Sequence, residues 1–182
     1  GLFGNQVAVE RWNVFYQMLI TQRGLSKKPA LEGMSRGGLI IYNWASVNPG
    51  RVSCIYGDAP VCDIRSWPGG KGKGKGGGSA WKAALKAHRI TDEESQSAKV
   101  SPIHKLKPIA DAGIPILHVV GAADKVVPVD ENSEIIEKKY KELGGNIYVI
   151  SKPGIGHHPH ALKDPRPIVD FILKHSLKIK VD

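Results

Sequence analysis

Ser35 stands in Gly33-Met34-Ser35-Arg36-Gly37, a Gly-x-Ser-x-Gly pentapeptide that a short apolar run enters and a helical pattern leaves. Strand, sharp turn and helix in that order are what a nucleophile elbow requires. The serine backbone at such a turn is strained, and its neighbours need to lack a Cβ. Gly33 and Gly37, two residues to either side, are therefore expected to let strand and helix pass close together, with Gly38 adding clearance. The hydroxyl is then held at a strand end over a helix N-terminus, whose free N–H groups and positive dipole end suit a developing oxyanion. The pentapeptide also arises in Gly-rich turns, so the bland reading of Ser35 is a small residue in a tight turn.

Two further clusters decide between these readings. Gly121-Ala122-Ala123-Asp124-Lys125-Val126-Val127-Pro128 follows a continuously apolar run at 114–120, and Pro153-Gly154-Ile155-Gly156-His157-His158-Pro159-His160 follows a shorter one at 146–151. Both lie just beyond the carboxyl ends of predicted strands, where open α/β sheets place their sites, and so does Ser35. Standing alone, Asp124 would read as a helix N-cap or an Asx turn. His157, His158 and His160 together could read as metal ligands. Adjacent histidines on a proline-containing loop are not expected to aim at one point, however, so no metal site is assigned.

The elements that must carry these loops are legible in outline. Apolar residues at Ala8, Trp12, Phe15 and Leu19 mark one face of a helix over 5–23, which Gly24 ends. A strand over 30–34 leads into the elbow, and a helix over 36–47 follows until Asn48-Pro49-Gly50 stops it. A second strand is expected at 52–56, turning out through Gly57-Asp58-Ala59-Pro60. Helix 130–143 joins the last two strands, and a helix over 165–175 closes the chain. Between 61 and 107 lies an excursion over the sheet edge. It holds the Gly/Lys run 69–78, expected to bury nothing and to be mobile, and short helices at 79–89, 91–99 and 103–112, the second opened by a Thr91-x-x-Glu94 capping box. Alternating strands and helices define an α/β class with a parallel sheet, and 1–182 reads as a single domain.

Composition sets the outer limits. A chain of 182 residues with 41% hydrophobic content can bury a sizeable core, and no apolar run is long enough to span a membrane. The net charge of +9 raises the question of nucleic acid. The basic residues are scattered over helix faces and the Gly/Lys loop without interleaved aromatics, so neither a nucleic-acid nor a membrane partner is expected. Cys54 and Cys62 are expected to be free thiols. The chain opens Gly-Leu-Phe-Gly, without Met and without a leader pattern, which is read as the mark of a processed or truncated sequence.

Taken with the chain order Ser, Asp, His, the segments 33–38, 121–128 and 154–158 resemble those of the α/β-hydrolase superfamily of serine esterases and related peptidases. The resemblance covers essentially the whole chain, but only as the second half of that fold. It implies a mostly parallel sheet with helices on both faces, whose four strands match the family's fifth to eighth. The family's N-terminal strands have no counterpart before Gly1, so the missing half is expected in a longer chain or a partner chain. The resemblance also implies roles. Ser35 would be the nucleophile, His157 its base and Asp124 the carboxylate that orients His157, while the Arg36 N–H would be one oxyanion donor. No cofactor is implied. Trp67 and Trp81, in the excursion that a hydrolase uses as a lid, are candidate substrate-binding walls, with lid packing as the alternative, and His158 is a further candidate beside the base. The expected activity is cleavage of carboxylic esters, small-molecule or carbohydrate-linked, through an acyl-enzyme. A prolyl-oligopeptidase-like peptidase and a non-catalytic binding protein on a partial hydrolase fold are the rivals.

Overall fold

A computed structural model describes residues 2–177; the ends of the 1–182 domain span, Gly1 and 178–182, lie outside the described residues. Four strands, β1 (Leu31–Met34), β2 (Ile55–Asp58), β3 (Ile116–Gly121) and β4 (Ile147–Lys152), form one parallel sheet in the order β1-β2-β3-β4. Six α-helices are described with them: α1 (Gln6–Gln22), α2 (Gly37–Val47), α3 (Gly78–His88), α4 (Lys107–Asp111), α5 (Ser133–Glu142) and α6 (Arg166–Ser176).

The strand period of two sorts the core. Leu31, Ile55, Ile116 and Ile147 point to one face, where they meet Ile41 and Trp44 of α2, Ile109 of α4, and Ile136 and Tyr140 of α5. Tyr56, Leu117 and Val119 point to the other, where Ile168 and Phe171 of α6 cover them together with Cys54. With helices on both faces, every residue of β3 is buried, as its unbroken apolar run requires. No helix among the described residues is long and apolar enough to cross a membrane. Cys54 and Cys62 are both free and buried.

Helix α1 begins at Asn5, whose side chain accepts from the Ala8 N–H at 3.0 Å, and ends with Gly24 at φ +63° and a Leu25 N–H to Leu19 C=O bond of 3.2 Å. Its buried face is turned relative to the predicted one. Ala8, Val9 and Tyr16 are buried, whereas Phe15 is 50% exposed. Trp44 of α2 sets this seam: Trp12 and Tyr16 stack on it with ring centroids 6.2 and 5.5 Å away, and its Nε1–H donates to Asn13 at 3.0 Å.

Other expectations are corrected by pairing partners that local sequence does not show. The second strand lies at Ile55–Asp58 rather than 52–56, because Gly57 and Asp58 continue the ladder opposite Gly33 and Met34 on one side and His118 and Val119 on the other. The Thr91–Glu94 capping box forms, with bonds of 2.7 and 3.1 Å, yet only a 3-10 turn at Glu94–Gln96 follows. The segment lacks an apolar face, and the Ser95 hydroxyl bonds back to the Asp92 carbonyl instead. The helix expected at 103–112 is a 3-10 turn at Pro102–His104 and the short α4. The Gly/Lys run, expected to bury nothing, buries one of its residues. Gly74 is buried, an added Cβ there would lie 3.1 Å from Pro128 and from the Val126 carbonyl, and the Lys73 N–H bonds the Glu131 carboxylate. The glycines let this loop lie flat on the 126–131 turn.

One buried polar group shapes the sheet interior. His118 of β3 is fully buried between the Tyr42 hydroxyl at 2.6 Å and Ser133 Oγ at 3.0 Å. Its neighbour in register is Gly57, where a Cβ would fall 2.8 Å from the imidazole. Burial lowers the His118 pKa to about 3. The folded-state value lies below the unfolded value of about 6.5, so the unfolded chain binds more protons between the two. Stability should therefore rise with pH across that window, by at most about 1.4 kcal/mol per pH unit from this group, and be level in this respect above it. Equilibrium urea unfolding as a function of pH measures the slope, and His118→Gln should flatten it.

Candidate active site

The elbow geometry begins with Ser35, which takes φ +48°, a left-handed conformation costly for a side chain with a Cβ. Three backbone bonds hold it there: Ser35 N–H to the Asp58 carbonyl at 2.8 Å, and Val61 N–H and Gly38 N–H to the Ser35 carbonyl at 2.8 and 3.0 Å. A Cβ at Gly33 would stand 2.6 Å from Ile41 Cδ1, and one at Gly38 2.6 Å from the Val61 carbonyl. Gly37, expected to be needed for clearance, has open space around its would-be Cβ. The close approaches are thus strand to helix at Gly33 and helix to the 60–61 turn at Gly38.

The two other loops are brought together by a fourth glycine. Gly121 ends β3, and a Cβ on it would stand 2.0 Å from the Gly156 carbonyl, so the 121–128 and 153–160 loops touch backbone to backbone there. The Ala123 N–H to Ile155 carbonyl bond of 2.8 Å fastens them. His157 lies between the remaining two groups: its Nδ1 is 2.7 Å from Asp124 Oδ2 and its Nε2 is 3.0 Å from Ser35 Oγ. The other Asp124 oxygen accepts the Val126 and Val127 N–H groups at 2.8 and 2.9 Å. Burial alone would raise the Asp124 pKa, but the bonds from His157, Val127 and Val126 outweigh it and hold the carboxyl below the ordinary aspartate value. A charged carboxylate on Nδ1–H fixes the tautomer that leaves Nε2 free to accept from the serine hydroxyl, which is the arrangement that activates a hydroxyl nucleophile.

The remaining candidates divide. Arg36 is exposed at the start of α2, its guanidinium 5.5 Å over the Phe3 ring, and among the described residues no acceptor sits on its backbone N–H. Trp81 is only 9% exposed, donates Nε1–H to Asp92 at 2.6 Å and packs with Leu39, Ile64 and Ala84. It offers no free face for a sugar, and the packing alternative describes it. Trp67 is half-buried against the same cluster, 6.4 Å from the Phe3 ring. His158 is exposed beside His157.

A second carboxylate and imidazole pair went unread in the sequence. Asp58, at the end of β2, is buried and accepts from His160 Nδ1 at 2.9 Å, the Tyr56 hydroxyl at 2.8 Å and the Ala161 N–H at 2.5 Å. Burial, then the bond to Asp58, pushes the Tyr56 hydroxyl pKa up. Asp58 sits in a Gly-Asp-Ala-Pro stretch that looks like a turn, and only the sheet register shows that it faces the histidine loop. That loop also does not splay its rings: His157, His158 and His160 stand edge to face with centroids 5.0, 4.9 and 4.7 Å apart.

Among solved structures, the chain is similar to a puromycin-hydrolyzing peptidase of Mycobacterium tuberculosis (TM-score 0.65, 18% identity, covering 91% of this chain and 24% of that one). It is similar to dipeptidyl peptidase 4 of Porphyromonas gingivalis (0.69, 14% identity, 92% and 22%). It also matches a monoacylglycerol lipase of Paleococcus ferrophilus (0.56, 19% identity, 92% and 76%). The chain therefore has the α/β-hydrolase fold, represented in part: it spans about a quarter of the length of the peptidases it matches. No protein-family model matches the sequence, and no curated protein does.

Proposed function

We propose that the chain carries the reacting groups of a serine hydrolase that cleaves carboxylic esters, carbohydrate-linked ones among them, through an acyl-enzyme on Ser35. The observation that carries this reading is the imidazole of His157 within hydrogen-bond reach of both Ser35 Oγ and Asp124. Ser35 Oγ bonds the substrate carbonyl carbon as His157 Nε2 takes its proton, and the Asp124 carboxylate stabilises the resulting imidazolium. The Arg36 N–H stabilises the oxyanion. The imidazolium then protonates the leaving oxygen, and water reverses the sequence to release the acid. The segment 61–107 serves as a lid, with Trp67 and His158 nearest to a bound substrate.

A serine-directed fluorophosphonate probe tests this, since labelling that depends on both Ser35 and His157 is required. Failure to label in a chain that includes the strands expected beside β1 would leave the non-catalytic binding protein as the better reading. A peptidase is the second reading, supported by the peptidases among the similar solved structures, and a panel of acyl esters against peptide amides ranks the two. The chemistry uses side chains, a backbone N–H and water, and calls on no Lewis acid. Prolonged dialysis against a strong chelator should therefore leave the rate unchanged, and a loss restored by zinc would overturn the mechanism.

The same reading includes further strands beside β1, supplied by a longer chain or a partner chain. Within the described residues β1 is an edge strand, with Glu32 and Met34 exposed. A cleft of about 530 Å³ lies between Phe3, the α1 residues Trp12 and Phe15, and Arg36 and Ile40 at the start of α2. An uncovered edge of this kind is an association hazard. Size-exclusion chromatography of the 182-residue chain by itself should show self-association, and a cooperative 19.7 kDa monomer with full activity would show the strands to be unnecessary.

A further inference from the structure

We propose that His157, His158 and His160 form a binding site for a divalent transition-metal ion of the zinc class, and that an ion held there takes His157 Nε2 away from Ser35. The inhibition rests on the serine hydrolase reading; the binding does not.

One ring nitrogen from each of the three histidines can be taken so that all lie within 4.8 Å of one another. Two of the rings are already prepared as ligands. His157 and His160 each direct Nδ1 at a buried carboxylate, Asp124 and Asp58, at 2.7 and 2.9 Å. A carboxylate on Nδ1–H fixes the tautomer with its lone pair on Nε2 and orients the ring, as it does for histidines that hold metals. Among the described residues His158 makes no hydrogen bond and is exposed, so it is free to turn toward the other two. Tetrahedral zinc with bonds of about 2.0–2.1 Å separates its nitrogens by about 3.4 Å, so a contraction of about 1.4 Å at most completes the set. Three imidazoles suit zinc, copper or nickel and not magnesium or calcium, which prefer oxygen.

The consequence follows from sharing a ligand. His157 Nε2 is the atom that accepts from Ser35 Oγ at 3.0 Å, and a lone pair given to a metal cannot take the serine proton. Ser35 then keeps its proton and is not a nucleophile. No covalent bond changes, so removal of the ion restores the site.

Isothermal titration of the purified protein with zinc chloride, run beside fluorophosphonate labelling of Ser35, tests the proposal. One zinc per chain is expected. His158→Ala and His160→Ala should weaken binding at least about tenfold, and Asp58→Asn about 10–100-fold through the ring it orients. Ser35→Ala should still bind zinc, because the hydroxyl is not needed to hold it. In the wild-type protein, saturating zinc should slow labelling at least about tenfold, with recovery on adding chelator and no effect of magnesium chloride. The site is refuted by absence of zinc binding, or by binding that the His158 and His160 substitutions leave unchanged. Stoichiometric binding that does not slow labelling removes His157 from the ligand set and refutes the shared-ligand step. A protein that binds zinc with the expected histidine dependence but never labels, even with the strands beside β1 supplied, upholds the metal site and overturns the hydrolase reading.

Discussion

Replacement of Ser35 by alanine is expected to give a folded protein with less than about a thousandth of the wild-type kcat, the scale of loss when a triad nucleophile is removed. The hydroxyl has one hydrogen-bond partner, His157 Nε2, and takes no part in the buried core, so its loss should barely change stability. The left-handed backbone at φ +48° gives a control that separates chemistry from folding. Ser35→Gly removes the strained Cβ and should raise the unfolding free energy by about 1 kcal/mol while losing activity as completely as alanine. Steady-state rates and urea unfolding of the two variants measure both effects. Residual kcat above about a thousandth in the alanine variant would move the nucleophile elsewhere.

What could be read in the sequence was whatever local chemistry announces. The apolar runs that became β1, β3 and β4, the Gly24 and Pro49-Gly50 stops, and the three loops holding Ser35, Asp124 and His157 each carry their signal within a few residues. What was missed depends on partners distant in sequence. Gly57 and Asp58 read as a turn because nothing nearby reveals that Gly33 and His118 flank Gly57 in the sheet. Asp58 met His160 across 102 positions, and His118 met Tyr42 across 76. The rotation of α1 depends on Trp44, and the seating of the Gly/Lys loop on Glu131 and Pro128, none of which periodicity can supply. Even the glycines divide this way. The motif pairs Gly33 with Gly37, whereas the packing requires Gly33, Gly38 and Gly121.

The two carboxylates beside the histidine loop should separate sharply on substitution. Asp124→Asn keeps size and shape, and its amide oxygen can still accept the Val126 and Val127 N–H groups now bonded at 2.8 and 2.9 Å. That orientation turns the amide NH2 toward His157 Nδ1, which must then act as acceptor. The ring proton moves to Nε2, where it points at Ser35 Oγ and leaves no lone pair to take the serine proton. A loss of about 10⁴ in kcat is expected with the fold intact, the size of effect that the wrong tautomer produces in such a triad. Asp58→Asn makes the same exchange on His160, which makes no hydrogen bond to Ser35, so its effect on kcat should be smaller by at least about two orders of magnitude. Burst and steady-state kinetics on one activated ester, with the fluorophosphonate labelling rate as a readout of Ser35 alone, compare the two. If Asp58→Asn matched or exceeded Asp124→Asn, the orienting acid would be the one at the end of β2, and His160 would replace His157 as the base.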